Sequence, residues 1–75
     1  MTPEELLAFE ARWPRHSTTK GEAIRGHLGI SPARYYQLLH RAASSLEGIR
    51  EHPITARRVR ETLALRAASR ERFVG

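Results

Sequence analysis

Apolar residues recur along this chain at intervals of three and four, the period of an amphipathic helix, and nowhere alternate as a half-buried strand requires. Leu6, Ala8, Phe9 and Trp13 form a first stripe, and Ala23, Ile24 and Leu28 a second. Tyr35, Leu38, Leu39 and Ala42 form a third, and Ala56, Val59, Leu63 and Ala67 a narrow fourth. Start and stop signals bracket them. Thr2-Pro3-Glu4-Glu5 offers an N-cap, a proline at the first helical position and a capping box, while Pro14 ends the stretch. Thr19-Lys20-Gly21-Glu22 has the form of a second capping box, and Gly29 suits the left-handed residue that terminates a helix. Ser31-Pro32 opens a third helix, Gly48 marks a loop, and a fourth helix starts near Pro53 or Thr55, with Phe73 and Val74 beyond it. The pattern predicts an all-α fold: one small four-helix domain over 1–75, with helices at 3–13, 20–28, 32–46 and 54–70.

Length narrows how such a domain is stabilised. A chain of 75 residues buries little more than half of its unfolded surface, and without cysteine neither a disulfide nor a thiolate site reinforces it. Close helix packing and dimerisation remain, so a homodimer is a natural expectation. No apolar run approaches the roughly 18 residues of a membrane span, and the acidic start is unlike a secretory signal. A cytoplasmic protein with no membrane association is expected.

Charge changes the picture more. Thirteen Lys and Arg stand against eight Glu, for a net charge of +5 and a pI near 11.1. Up to residue 30 the signs cancel. Beyond Pro53, Arg57, Arg58, Arg60, Arg66, Arg70 and Arg72 face only Glu61 and Glu71. A cationic surface of this kind favours polyanions, nucleic acid first among them.

Two helices joined by three residues with a glycine opening the turn describe a helix-turn-helix, whose second helix can lie in a major groove. Ile24, Leu28, Ile30, Tyr35 and Leu38 fall where such a motif buries side chains; Arg25 stands where its helix crossing usually has alanine. With 32–46 as the reading helix, Arg34, Tyr36, Gln37, His40 and Arg41 are the candidate base-reading residues. Ser31, Lys20, Arg57, Arg58 and Arg60 are the candidate phosphate contacts. Double-stranded DNA is the expected partner, in a transcription regulator or a nucleoid-associated factor.

Phe9-Glu10-Ala11-Arg12-Trp13, Lys20 to Arg25, and Leu28 to Leu39 with its Arg34-Tyr35-Tyr36-Gln37 core carry a resemblance. They resemble an actinobacterial family of small uncharacterised proteins with F-E-x-x-W and S-x-x-R-Y-Y-Q-x-L segments and an Arg-rich C-terminal helix. The likeness extends to about Arg60. It implies a helix-turn-helix and an actinobacterial source, and no biochemical activity.

Other chemistries find less support. Phe9 and Trp13, four apart, suit a core better than a base-stacking platform. His16, His27, His40 and His52 lack the spacing of a ligand set, so no metal or other cofactor is expected. Without cysteine, aspartate or carboxylates paired in an apolar setting, no enzyme is expected either. The alternative is a protein-interaction module that meets RNA polymerase or another regulator through its helical surface.

Overall fold

The computed structural model describes the backbone of residues 1–74 and the side chains of residues 1–68. The side chains of Arg70, Arg72, Phe73 and Val74, assigned above to the positive run and the C-terminal end, lie outside the described residues. Among those described there are five helices and no strand: α1 (Pro3–Arg12), α2 (Thr18–Ala23), α3 (Pro32–Ala43), α4 (Leu46–Glu51) and α5 (Pro53–Val74). A π-helical segment, Ile24–Leu28, prolongs α2.

The capping signals explain most of the boundaries. The Glu5 N–H donates to Thr2 Oγ1 at 3.1 Å and the Thr2 N–H to Glu5 Oε2 at 3.5 Å, a complete capping box. Pro14 holds Trp13 outside the helical region and α1 stops. The expected Thr19 box is not used. Ser17, extended and two residues earlier, accepts the Lys20 N–H at 3.1 Å and caps α2. Ser31 Oγ accepts the Arg34 N–H at 3.2 Å with Pro32 in the first turn, and Gly29 is left-handed at φ 67°.

The helix expected over 32–46 ends instead at Ala43. Ser45 adopts an extended conformation, donates to the Ala42 carbonyl at 2.7 Å and accepts the Gly48 N–H at 3.0 Å. One hydroxyl thus closes α3 and caps α4, a competition with the helical ladder that serine is built for. Gly48 is no loop residue. It is buried inside α4, and a Cβ there would fall on the Ala42 carbonyl oxygen and 2.7 Å from Leu7 Cδ1. Pro53 then forbids a helical His52 and opens α5.

Helix α3 lies between α1 and α5, with α4 closing the end against all three. The core consists of Leu6, Leu7, Ile24, Tyr35, Leu39, Ala42, Ala43, Ala56 and Val59, with Phe9, Leu28, Ile30, Tyr36 and Leu38 packed around it. The α5 stripe continues as far as Leu63, which is half-buried; Ala67 is exposed, as are Ala64, Leu65, Arg66 and Ala68 around it.

Among the described residues, one charged side chain is buried. Lys20 is only 2% exposed, and its Nζ lies 2.6 Å from Glu10 Oε1. The same oxygen accepts the Tyr35 hydroxyl at 2.7 Å. Burial, then its bond to the Glu10 carboxylate, raises the Tyr35 pKa far above the ordinary tyrosine value, so the hydroxyl stays a donor. Each of α1, α2 and α3 contributes one member of this triad.

Two stability predictions follow from these contacts. Gly48→Ala should lower the unfolding free energy by about 2–3 kcal/mol, because its methyl meets backbone that cannot move aside. Glu10→Gln should cost about 3 kcal/mol by stranding the Lys20 ammonium, and Glu10→Gln with Lys20→Met should cost less than that single change. Urea midpoints at constant m-value measure both; additive losses in the double variant would mean that the two groups act independently.

Candidate nucleic-acid interface

Tyr35 fixes the rotation of α3 by burying its ring completely and anchoring its hydroxyl on Glu10. Successive residues of a helix are about 100° apart, so that choice decides which side chains face outward. Ala33, Arg34, Gln37, Arg41 and Ser44 form one exposed face. Arg34 Nη1 donates to Gln37 Oε1 at 3.4 Å across a helical turn. No acidic residue occurs anywhere in α3, so its outward face is a cationic strip with amide and hydroxyl groups between the charges.

The approach to this face is unusual. In the π-helical segment the chain carries a wider turn, which keeps Ile24 in the core and sends Arg25, Gly26 and His27 to the surface. Arg25 therefore does not stand in a helix crossing at all. The small residue near α3 is Gly21, where a Cβ would come within 3.9 Å of Pro32 Cγ. Gly29, Ile30 and Ser31 then carry the chain into α3.

The other two proposed base-reading residues sit on the shoulder of α3 rather than on this face. Tyr36 is half-buried; its hydroxyl lies 2.7 Å from His16 Nδ1, and Lys20 Nζ stands 5.2 Å from its ring centroid. His40 is also half-buried. Desolvation first, and the Arg66 guanidinium second, hold its pKa below the ordinary histidine value, with Glu10 pulling the other way.

The proposed phosphate contacts divide sharply. Lys20 is withdrawn from the surface by the ion pair with Glu10 and cannot reach a phosphate without breaking it. Arg60 is likewise engaged: its Nη1 donates at 2.6 Å to the carbonyl of Ala43, the last residue of α3, satisfying a helix-end acceptor. Ser31 is exposed, its hydroxyl oxygen already accepting the Arg34 N–H. Arg57 is exposed and paired with Glu61 at 3.0 Å, one turn away. Arg58 is exposed and has no ion-pair partner among the described residues.

Between the ends of α1 and α2, the shoulder of α3 and the face of α5 lies an open cleft of about 110 Å³. Its wall includes His16, Tyr36 and His40 on one side and Arg58, Thr62 and Arg66 on the other, and Lys20 and Glu10 line it as well. In the sequence Arg66 stands only within a charge run, and His16 is an isolated histidine. The spacing of Arg58, Thr62 and Arg66, four residues apart, was the legible signal that they share a helix face. Nothing local announced that Tyr36, His16 and His40 would meet that face.

Surface chemistry elsewhere is different. Leu46, Ile49 and Ile54, on α4 and the start of α5, are exposed large apolar residues. No helix among the described residues is long and apolar enough to cross a membrane, and none of their His and Glu side chains gather in threes as a metal site needs.

No curated protein and no solved structure matches the chain. A family model does match, over residues 2–71, which takes in every helix from the Thr2 cap to most of α5. On that match the chain belongs to the family described as Protein of unknown function (DUF3263).

Proposed function

We propose that the protein binds double-stranded DNA, with α3 as the helix that enters the major groove. One observation carries this reading: the exposed face of α3 presents Arg34, Gln37 and Arg41 together, free of acidic residues, on a helix that follows a left-handed glycine turn. Arginine offers a bidentate donor pair to guanine, and glutamine the donor and acceptor that adenine needs. The unit from α2 to α3 serves as a helix-turn-helix, with its π-helical segment taking the place of the usual tight crossing. The exposed guanidinium of Arg58, and that of Arg57 once released from Glu61, contribute sequence-independent phosphate contacts. A transcription regulator or a nucleoid-associated factor is the role that follows.

The exposed Leu46, Ile49 and Ile54 favour a second reading, in which α4 and the start of α5 dock on another protein, a polymerase or a regulator. The two readings use different surfaces and separate cleanly by mutation.

Fluorescence anisotropy with random and GC-rich duplexes at two salt concentrations tests the DNA reading. Binding should weaken steeply with salt. Arg34→Ala should erode the preference between sequences by roughly tenfold, the loss of one bidentate contact. Arg57→Ala with Arg58→Ala should weaken all duplexes alike and reduce the salt slope by about two. Absence of binding at low salt would discard the DNA reading in favour of the apolar surface.

A further inference from the structure

The cleft between α3 and α5 has a composition that the fold does not account for. A chain with a thin core gains nothing from gathering like charges, yet Arg58 and Arg66 line the same small space, and neither has an ion-pair partner among the described residues. The one acid in its lining, Glu10, is paired with the Lys20 ammonium, and the same carboxylate oxygen accepts the Tyr35 hydroxyl. Across from the guanidinium groups stand the linked His16 and Tyr36, 2.7 Å apart, and His40. The cleft thus combines two guanidinium groups unpaired among the described residues, two hydroxyls and two imidazoles with a single carboxylate, which is already paired with Lys20.

We propose that this cleft is a binding site for a phosphoryl group, held by Arg58 and Arg66 with one hydrogen bond from the linked Tyr36–His16 pair, whose remaining N–H or O–H is free to donate. The volume of about 110 Å³ is well above what a single water needs and admits a tetrahedral oxyanion. Arginine is the side chain best matched to such an anion, with donors in a planar fork that meet two oxygens at once. Desolvation first, and the Arg66 guanidinium second, depress the His40 pKa, and an anion beside Arg66 would offset the second of these. The titratable and charged groups that line the cleft with that imidazole are Arg66, Arg58, Lys20, His16, Tyr36 and Glu10, only the last of them an acid. The phosphoryl group can belong to a DNA backbone or to a free phosphorylated molecule, since the recognising chemistry is the same.

Histidine-ring and backbone NMR of the intact protein tests the proposal, with sodium phosphate and sodium pyrophosphate against sodium chloride at matched ionic strength. Both phosphates should shift the His16, Tyr36 and His40 signals saturably, and the midpoint of His40 should move up toward the ordinary histidine range. Arg66→Gln and Arg58→Gln replace exposed side chains, and each should weaken phosphate binding by roughly tenfold, the loss of a charge-assisted hydrogen bond. Arg34→Ala should leave it unchanged. Shifts that do not saturate, that chloride reproduces, or that survive both arginine substitutions would overturn the proposal.

Adding duplex then identifies the source. Competition between duplex and pyrophosphate assigns the site to a backbone phosphate, and simultaneous binding assigns it to a free phosphorylated molecule. Phosphate binding without any duplex binding would sustain the cleft and remove the DNA reading; duplex binding with no phosphate effect would overturn the cleft alone.

Discussion

Lys20, Glu10 and Tyr35 hold the arrangement on which the rest of the molecule depends. Two charges are drawn from water at a cost that only close pairing and full hydrogen bonding offset, and here a lysine 2% exposed meets its carboxylate at 2.6 Å. A second donor, the Tyr35 hydroxyl, completes the coordination of the same oxygen at 2.7 Å. The Lys20 ammonium also lies near the faces of Tyr35 and Tyr36, at 5.7 and 5.2 Å from their ring centroids, and Phe9 packs edge-on against Tyr35. Apolar contacts tolerate a helix turned by a few tens of degrees. A buried ion pair does not, so α1, α2 and α3 are locked in rotation as well as in position.

That lock explains how the cations are sorted. Their number gives a net charge of +5 but no map. Lys20 is spent inside, Arg60 on the carbonyl that ends α3, and Arg57 on Glu61. Once Tyr35 points inward, Arg34 and Arg41 must point outward, and Tyr36 and His40 must lie on the shoulder facing α5. The exposed strip and the cationic cleft are two consequences of one choice of helix rotation.

Most of the fold was legible because local signals and tertiary packing agreed. Thr2, Pro14, Ser31 and Gly29 act within a turn of themselves, and the apolar stripes face a single core. The misreadings have one physical origin: several local solutions were available and long-range contacts chose among them. Ser17 and Thr19 can both cap α2, and the earlier one is used. Ser45 can ride inside a helix or end it; its bonds to Ala42 and Gly48 and the close approach of Gly48 to Leu7 decided the matter. Lys20 has the appearance of a surface residue until its partner, ten positions earlier on another helix, is known. For the candidate site, the outward Arg34, Gln37 and Arg41 followed from helical period alone. The cleft did not, since His16, His40 and Arg66 come from three separate stretches of chain.

The strip and the cleft are neighbours on α3, and the triad determines how one influences the other. A ligand in the cleft touches Tyr36 and His40, whose side chains leave α3 beside Gln37 and Arg41. Turning α3 to transmit that event would pull Tyr35 from Glu10 and leave a buried carboxylate and ammonium poorly satisfied, an expense of several kcal/mol set against coupling energies that are typically about 1–3 kcal/mol. Rotation is therefore closed as a route. What remains is the field: an anion among Arg58, Arg66 and the histidines would lower the positive potential over the neighbouring face of α3, an effect that salt screens over ~10 Å. On the proposed DNA reading, a phosphoryl group that is part of the DNA would strengthen the grip on the duplex. One that arrives on a separate molecule would weaken it, without any movement of the helix.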